Sequence, residues 1–561
     1  MICPAGSARS DSSSRPQTLG CVLCWMLSGL FAAVLTGCDT DPAQPATPRS
    51  LPPTMQTAAT KSGGETTPAA PLLDGWDRPA AAIVLSGEQH GYVEPCGCSE
   101  TQSGGLARRH DLFKQLSARG WDTVGLDLGG SLKRTNRQAE LKFRFTRNAL
   151  DEMGYDALAI GKEELTLGPD ALFSAHSESE VSGGDYRDGF DLPLVSANVL
   201  IYGTRDIGVP QTHVKRVLGG TDDTDADTVT LGATSIVGES YASAYQGDPG
   251  TMTIEPAAAA LEAVLPELAD CDVRVLLAHA KPDESEALAR AFPQFDVVVT
   301  AGGAEDPDPR PTTIAHTDGR ETLLLRVSQK GKYVGVLGVY PADPDAAGDP
   351  AARPTLKYEL VDLDKNRFAT SSEMVAWMQT YQTQLQDERL VESMQPIAHP
   401  RGTGYTGAKA CGECHTTAYN IWKTSKHAHA LDSLTKGRAG TEDWWVDRQF
   451  DAECLACHVT GWEPQEVERF EGGFVSMDQT PHLAGNQCEN CHGPGQAHSE
   501  LEHSLLAGGD FTDAHREQRQ AVKLNQKTAA ADVCTKCHDL DNSPHFDFDT
   551  YWPKVKHSGV N

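Results

Sequence analysis

The 561-residue chain is short of positive charge. Lys and Arg number 48 against 78 Asp and Glu, which leaves a formal net charge of −30 at pH 7. A protein that binds nucleic acid or an anionic lipid surface needs a basic patch, so this balance argues against both kinds of partner. Such a surplus of acidic side chains is most simply a source of solubility. The length exceeds what one core can organise, and we expect two or three domains.

Long apolar runs are also scarce, and the run over residues 19–34 is too short for a full membrane span. It is preceded by Arg9 and Arg15 and followed by Leu35-Thr-Gly-Cys38, which resembles a bacterial lipobox. We therefore predict a signal peptide over residues 1–37, with Cys38 as the lipidated N-terminus after cleavage. An uncleaved membrane anchor is the alternative. Both interpretations place a membrane-anchored protein outside the cytoplasm, facing the periplasm or the cell exterior.

Large apolar side chains are almost absent from residues 39–70, which are rich in Pro, Thr, Ala, Ser and Gly. A segment of this composition cannot bury a core, so we predict a flexible linker over residues 38–78.

Eight of the cysteines lie in four copies of one pattern, Cys-x-x-Cys-His. The copies are Cys411-Gly-Glu-Cys414-His415, Cys454-Leu-Ala-Cys457-His458, Cys488-Glu-Asn-Cys491-His492 and Cys534-Thr-Lys-Cys537-His538. In each copy two thiols can add to the vinyl groups of one haem, and the next His can ligate its iron. A pair of zinc sites is the rival interpretation, but zinc has no use for a His after every Cys pair. The sequence thus predicts four covalent c-type haems with His415, His458, His492 and His538 as proximal ligands.

The last part of the chain contains four segments whose residues, taken together, match a known family. They are Gly407-Ala-Lys-Ala-Cys-Gly-Glu-Cys-His415, Trp422-Lys-Thr-Ser-Lys-His-Ala428, Cys457-His-Val-Thr-Gly461 and Cys488-Glu-Asn-Cys-His-Gly-Pro-Gly495. These segments strongly resemble the tetrahaem cytochrome c-554 family. Four haems in so short a stretch would themselves form the hydrophobic core of a mostly helical and irregular domain over residues 406–561.

Each haem iron has a sixth position to fill, and imidazole on both sides gives a low-potential electron-transfer centre. The distal candidates are His427, within a segment that matches the family, His498 after the Gly-Pro-Gly turn, and His557 near the end of the chain, with His429 and His503 as alternates. The resemblance implies that one haem lacks a distal protein ligand. We choose the haem on His458, because no nearby His shows the same pattern. An open iron could bind a small ligand, whereas a capped iron only passes electrons.

Between residues 79 and 364, apolar runs of strand length alternate with helical patterns. Strands are predicted at residues 81–85, 123–128, 157–160, 194–197, 273–277, 297–299, 322–328, 333–340 and 356–363, and helices at residues 138–153, 256–268 and 284–292. A layered α/β domain over residues 79–365 follows, with ligand chemistry in loops at the strand ends. A helical connector over residues 366–405, with its helix at 371–390, would pack between the two domains.

The loops of the α/β domain contain a series of short motifs. They are Ser86-Gly-Glu-Gln-His-Gly91, Gly104-Gly-Leu-Ala-Arg108, Leu126-Asp-Leu-Gly-Gly130, Tyr155-Asp-Ala-Leu-Ala-Ile-Gly-Lys-Glu-Glu164, Ser196-Ala-Asn-Val199, Leu277-Ala-His279 and Asp296-Val-Val-Val-Thr-Ala-Gly-Gly-Ala-Glu305. In order and approximate spacing they resemble the 5′-nucleotidase-like metallophosphoesterase family. The resemblance implies two metal ions held by D-x-H, G-D, G-N-H-[ED], a lone His and G-H-x-H.

This chain keeps few of those metal ligands. His90 and His279 match, and Glu88 could stand in for the first Asp, but the remaining positions are Gly130, Lys162, Glu163, Gly303 and Glu305. Glycine offers no side-chain ligand, and a Lys ammonium would repel a dication. We therefore predict a phosphoesterase fold that has lost its dinuclear site. A one-metal site on Glu88, His90 and His279 is the alternative, and would add a second metal to the haem iron.

Two thiols that the phosphoesterase pattern lacks stand beside this site, in Glu94-Pro-Cys96-Gly-Cys98-Ser99. Thiols at this spacing can form a readily reduced disulfide, bind a soft metal or hold sulfur as a persulfide. An inert local disulfide, or two structural thiols, is the plain alternative. Cys96 and Cys98 are our candidate catalytic residues.

These features predict a multihaem cytochrome that exchanges electrons with a redox partner protein and couples them to redox chemistry in the α/β domain. Such a protein would be a multihaem oxidoreductase. Two alternatives stay open. One is a metal-dependent phosphoesterase, or 5′-nucleotidase-like hydrolase, fused to a cytochrome. The other is a non-catalytic α/β docking domain for a redox partner.

Overall fold

The computed structural model describes residues 71–95, 102–177, 192–204, 209–218, 228–342, 353–437, 441 and 444–558. All of these residues belong to one compact unit. The predicted signal peptide with Cys38, and the thiols Cys96 and Cys98, lie outside the described residues. Within the described ranges no helix has the length and apolar character needed to cross a bilayer.

The described strands fall mainly between residues 81 and 362. They are β1 (Ala81–Ser86), β2 (Thr123–Asp127), β3 (Tyr155–Ala159), β4 (Leu194–Val195), β5 (Val199–Ile201), β6 (Thr212–Leu218), β7 (Thr228–Val237), β8 (Met252–Ile254), β9 (Val273–His279), β10 (Val297–Thr300), β11 (Thr312–Ala315), β12 (Glu321–Arg326), β13 (Tyr333–Tyr340), β14 (Thr355–Asp362), β15 (Trp462–Glu463) and β16 (Glu468–Arg469).

The described α-helices are short after residue 390. They are α1 (Leu106–Ala118), α2 (Arg137–Met153), α3 (Pro169–Ser177), α4 (Glu239–Ala242), α5 (Ala257–Val264), α6 (Pro282–Ala291), α7 (Ser372–Asp387), α8 (Leu390–Ser393), α9 (Ala408–Cys414), α10 (Thr416–Lys423), α11 (Asp432–Thr435), α12 (Ala452–His458), α13 (Cys488–His492), α14 (Gln496–Leu506), α15 (Asp513–Ala521), α16 (Gln526–Thr528) and α17 (Phe548–Val555).

Two six-stranded mixed sheets form the α/β region. One has the strand order β14-β13-β1-β2-β3-β4, and the other has the order β11-β12-β10-β9-β7-β6. The inner strands β1 to β4 run parallel to one another, as do β7, β9, β10 and β12, whereas β13, β14, β11 and β6 pair antiparallel with their neighbours. Loops that follow parallel strands meet at one edge of the sheet, and ligands of such sheets typically bind there.

Alternate residues of each central strand contribute to different cores. In β1, Ile83 and Leu85 join a cluster that includes β9 and β10 of the other sheet, while Val84 joins a cluster with α1, α2 and α7. In β9, Leu276 belongs instead to a third cluster with α5 and α6. The region is therefore a four-layer stack of helices, sheet, sheet and helices, which confirms the predicted layered α/β fold. Strands buried on both faces also explain the continuous apolar runs in the sequence.

Helix α1 and strand β7 fall outside the predicted elements. In α1 the buried side chains include Arg108, Arg109 and His110, so its inward face does not show an apolar period. In β7 the buried positions include Thr234 and Ser235, whose hydroxyls donate to the carbonyls of Gln211 and Val195. Polar side chains that are satisfied inside the fold hide an element from pattern analysis.

The C-terminal region is a series of short helices around a small apolar cluster, which includes Leu455, Trp462, Phe474 and Leu483. This agrees with the predicted mostly helical and irregular fold. Helix α7 joins the two regions. It packs on α1 and α2 through buried residues such as Met378 and Tyr381, and its Gln382 donates to Asp451 at 3.0 Å, just before α12.

Candidate functional site

Local helical structure arranges each predicted haem-attachment motif. Three motifs lie in helices α9, α12 and α13, and the fourth begins in a 3₁₀ turn over Cys534–Lys536. Residues three and four apart on a helix are neighbours, so both cysteines and the following His present to one side. Asp451 caps α12 by accepting from the backbone N–H of Glu453, and Gln487 with Asn490 forms a capping box on α13.

Three predicted distal histidines face three predicted proximal ones. The ring centroids of His415 and His498 are 6.4 Å apart, those of His427 and His538 are 6.0 Å apart, and those of His492 and His557 are 5.8 Å apart. An imidazole nitrogen binds a metal ion such as zinc at about 2 Å, so two rings on opposite sides of one ion would have centroids roughly 6 Å apart. The separations of all three pairs fit a shared iron.

The pair His427 and His538 lies in a cleft that also contains attachment thiols. Cys534 and Cys537 line this cleft together with both imidazoles, and His399 and Tyr405 lie on its wall. Burial lowers the pKa of His427 and of His538, which keeps both rings neutral. Neutral imidazole is the form that ligates a metal, so the residues present fit a covalently attached haem, which Cys534, Cys537, His538 and His427 would hold.

The proximal rings are oriented by acceptors at Nδ1. His458 Nδ1 lies 2.8 Å from the Ala430 carbonyl, and His492 Nδ1 lies 2.8 Å from the Val522 carbonyl. His538 Nδ1 lies 2.9 Å from Ser543 Oγ. A backbone carbonyl can only accept, so the contacts of His458 and His492 place the proton on Nδ1 and direct Nε2 toward a metal.

Thiols of different motifs approach one another. Cys411 contacts Cys488, and Cys457 contacts Cys537, each at hydrogen-bonding range. Cys534 lies close enough to Cys491 to contribute to the raised pKa of the Cys491 thiol, after burial. The four motifs are thus linked in the spatial order first, third, fourth and second.

The alternates His429 and His503 lie at the surface. His429 Nδ1 is 3.2 Å from Asp432, and its side chain is 63% exposed. His503 Nε2 is 3.6 Å from Glu413. That the iron on His458 is open stays a prediction.

The first phosphoesterase-like motif forms a strained loop after β1. Glu88 and His90 have φ values of 46° and 47°, in the left-handed backbone region that residues other than glycine seldom adopt. The buried carboxylate of Glu88 accepts from the backbone N–H of Gly302 at 3.0 Å and of Gly303 at 3.3 Å. The backbone of the last motif therefore binds the carboxylate that could have replaced the first metal-ligating Asp.

The Glu163 carboxylate gathers the remaining charged groups of this site. It lies 3.4 Å from His279 Nε2, 3.7 Å from His90 Nδ1 and 3.4 Å from Lys162 Nζ. The Lys162 ammonium also lies over the ring of Tyr241 at 4.5 Å. Burial raises the pKa of Glu163, but the nearby His279, Lys162 and His90 outweigh it and lower that pKa to about 2. A cation and two imidazoles thus compensate this carboxylate at the place where metal ions would lie.

Glycine occupies positions where the family pattern has metal-ligating side chains. Gly130 has φ 78°, and a Cβ there would lie 3.1 Å from Glu88 Cα and 3.3 Å from His279 Cε1. A Cβ on Gly303 would lie 2.3 Å from the Val327 carbonyl oxygen. Glu305 pairs with Lys330 and Lys332 instead of entering the site. In the described part of the chain, no group of three or more His, Cys, Asp or Glu side chains is arranged to hold a metal ion.

The loop after β1 also contacts the haem-motif region. Tyr92 donates to Asp541 at 2.6 Å, and Glu94 accepts from Arg448 Nε at 3.0 Å. Gln102 donates to the backbone carbonyl of Asp541 at 2.9 Å. The segment that contains Cys96 and Cys98 is therefore flanked on both sides by contacts to the C-terminal region. The sequence contains no local pattern that indicates these contacts.

Comparison with known proteins supports a multihaem cytochrome. Residues 410–493 match the family model described as cytochrome c554 and c-prime. Cytochrome c-554 of Nitrosomonas europaea is 32% identical over 143 residues, which are 24% of this chain and 53% of the relative. The chain thus spans about half the length of that curated relative. The predicted resemblance of the C-terminal region to this family is confirmed, and the family implies covalent haem c.

Solved structures similar to this chain include a 5′-nucleotidase, a sulfate thiohydrolase and a cytochrome. A 5′-nucleotidase precursor from Thermus thermophilus is 21% identical, with a TM-score of 0.44, over 57% of this chain and 60% of its own. The sulfate thiohydrolase SoxB of the same genus and species is 15% identical, with a TM-score of 0.42, over 58% and 64%. Reduced cytochrome c554 from Nitrosomonas europaea is 23% identical, with a TM-score of 0.18, over 28% and 79%.

Proposed function

We propose that this protein is an extracytoplasmic multihaem c-type cytochrome that transfers electrons between a redox partner protein and its own α/β region. The observation that best supports this proposal is the set of three facing imidazole pairs, each with one ring in a Cys-x-x-Cys-His motif. Imidazole on both sides of a haem iron leaves no position for substrate and suits electron transfer.

In this proposal each chain holds four haems. Cys411 with Cys414, Cys454 with Cys457, Cys488 with Cys491 and Cys534 with Cys537 attach them, and His415, His458, His492 and His538 are the proximal ligands. His498, His557 and His427 are the distal ligands opposite His415, His492 and His538. Bound haem iron would supply one-electron chemistry, and the proximity of the motifs to one another supports passage of electrons from one haem to the next.

The α/β region would take part through Cys96 and Cys98. The contacts of Glu94 with Arg448 and of Gln102 with Asp541 support this, because they hold both flanks of the thiol segment against the C-terminal region. Oxidation of the two thiols to a disulfide would release two protons to solvent and two electrons, and bound haem would supply the one-electron acceptors that take those electrons on toward the partner protein.

The location follows from the N-terminal segment and the haem chemistry. Cleavage after residue 37 would leave Cys38 as a lipid anchor at a membrane, with residues 38–78 as the linker to the α/β region. The acidic surface leaves nucleic acid out of the proposed partners.

Reductive titration of the purified holoprotein tests the coupling. We expect the wild-type chain to take up two more electrons than the variant Cys96→Ser/Cys98→Ser, because a disulfide is a two-electron couple. The variant Cys271→Ser is the control. Cys271 is a buried thiol just before β9, and its replacement should leave the uptake unchanged. Equal uptake by all three proteins would contradict the thiol role. Phosphatase activity that appears with added Mn²⁺ or Zn²⁺ would favour a hydrolase instead.

A further inference from the structure

Lys142 on helix α2 is a buried cation that the proposed function does not use. Its side chain is 7% exposed, and its ammonium pairs with the carboxylate of Glu453. The same ammonium lies 3.4 Å from the carbonyl oxygen of Gly91, in the loop after β1. Burying a charge costs free energy, and pairing it offsets only part of that cost. Packing alone therefore does not account for a buried ion pair between two regions of the chain.

The partner of Lys142 belongs to a haem-attachment helix. Glu453 directly precedes Cys454, in the first turn of α12, and the same helix ends at His458. Asp451, the cap of that helix, accepts from Gln138 of α2 at 2.7 Å and from Gln382 of α7 at 3.0 Å. Side chains of α2 and α7 therefore bind the start of this attachment helix, and Lys142 of α2 compensates the charge of its Glu453.

Lys142 stays charged in this setting. Burial lowers the pKa of its ammonium, but the carboxylates of Glu453 and Asp451 outweigh burial and raise the pKa above its ordinary value. Burial raises the pKa of Glu453, and Lys142 reverses that effect, so the carboxylate is ionised as well. Arg134 Nη1 also lies 3.5 Å from Glu453. At the start of the attachment helix, the positive charges of Lys142 and Arg134 thus lie beside the carboxylates of Glu453 and Asp451.

We propose that Lys142 is a positioning residue by which the α/β region raises the reduction potential of the haem attached at Cys454 and Cys457. The inference rests on the proposed haem attachment at these two thiols. Reduction of a ferric iron adds one electron and lowers the local positive charge, so a nearby fixed cation favours the reduced form. The effect is larger for a buried cation than for one in water, because solvent screens it less.

Potentiometric titration of the holoprotein, followed by haem absorbance, tests this proposal. Lys142→Met keeps the length of the side chain and removes its charge, and we expect the reduction equilibrium of one haem to shift at least threefold toward the oxidised form. Glu453→Gln should shift the same haem in the opposite direction, and the double variant should return near the wild-type value. Lys142→Arg should retain the wild-type titration.

The matched control is Lys114→Met, which removes an exposed lysine of α1 that pairs with Glu373 within the α/β region and the connector. Haem content of every variant is measured first, by absorbance of the denatured protein in pyridine. Four haems per chain with unchanged potentials in Lys142→Met and Glu453→Gln would overturn the proposed role of Lys142 alone. Absence of covalent haem in the wild-type protein would overturn the proposed function instead.

Discussion

At the scale of single residues, the proposed distal histidines would decide which irons are closed to other ligands. The His427 ring faces His538, whereas His429, two residues further along, is exposed and pairs with Asp432. We predict that His427→Ala adds one high-spin iron per chain, because that iron loses an axial imidazole. His429→Ala is the control and should leave the spin states unchanged. Electron paramagnetic resonance of the oxidised protein measures both, and an unchanged spectrum for His427→Ala would contradict the assignment.

Gly130 shows at the same scale why the phosphoesterase-like ligand set is not restored by one substitution. Gly130→Asp would place a Cβ against Glu88 and His279 at a left-handed φ of 78°. Left-handed backbone alone costs about 1–2 kcal/mol for a side chain other than glycine. The control is Gly154→Asp, which has φ 85° and nothing within 4 Å of its added Cβ. We expect Gly130→Asp to lower the thermal midpoint further than Gly154→Asp and to bring no phosphatase activity. Equal midpoints would contradict the crowding argument.

At the scale of elements, the loop after β1 and the segment after the fourth motif hold the two regions together. Burial raises the pKa of Asp541, but Lys330 and Tyr92 outweigh it, and the pKa lies below its ordinary value of 3.8. A carboxyl with a depressed folded pKa stabilises the fold above its unfolded pKa and loses that contribution as the pH falls through the folded value.

We therefore predict that Asp541→Asn lowers the stability by about 1 kcal/mol at pH 6, a value typical of a partly exposed ion pair. The difference from wild type should shrink as the pH falls below 3.8 and vanish below the lowered folded pKa, because the wild-type carboxyl is then protonated too. Urea midpoints at pH 6 and pH 3 measure this, with the exposed Asp510→Asn as the control for loss of charge. A difference that is constant with pH would contradict the ion-pair explanation.

Elements and motifs with local signals are the part of this molecule that the sequence predicts. Helix α2 was visible as an apolar period, and each Cys-x-x-Cys-His motif is complete within five residues. The Lys142 contact with Glu453 joins residues 311 positions apart, and a buried lysine on a helix looks like an exposed one in the sequence. The contacts of Glu94 and Tyr92 were hidden for the same reason. Facing histidines could be proposed only as candidates, because pairing depends on the folded chain.

At the scale of the whole molecule, an acidic chain joins a four-layer α/β region to a region with little apolar core of its own. The C-terminal region's main apolar cluster is small for its length, so haem would supply much of the missing core. The α/β region meets that region through Lys142, Tyr92 and Glu94, beside the second and fourth motifs. The proposed electron-transfer unit therefore includes both regions.

The most direct test of the central claim is the intact mass and metal content of the purified holoprotein. We predict a mass that exceeds the polypeptide by four covalently bound haems, one iron per haem, and no stoichiometric Mn or Zn. Fewer than four haems would contradict the assignment of all four Cys-x-x-Cys-His motifs. One or two additional metals per chain would contradict the prediction that the dinuclear site is lost, and would favour a hydrolytic function for the α/β region.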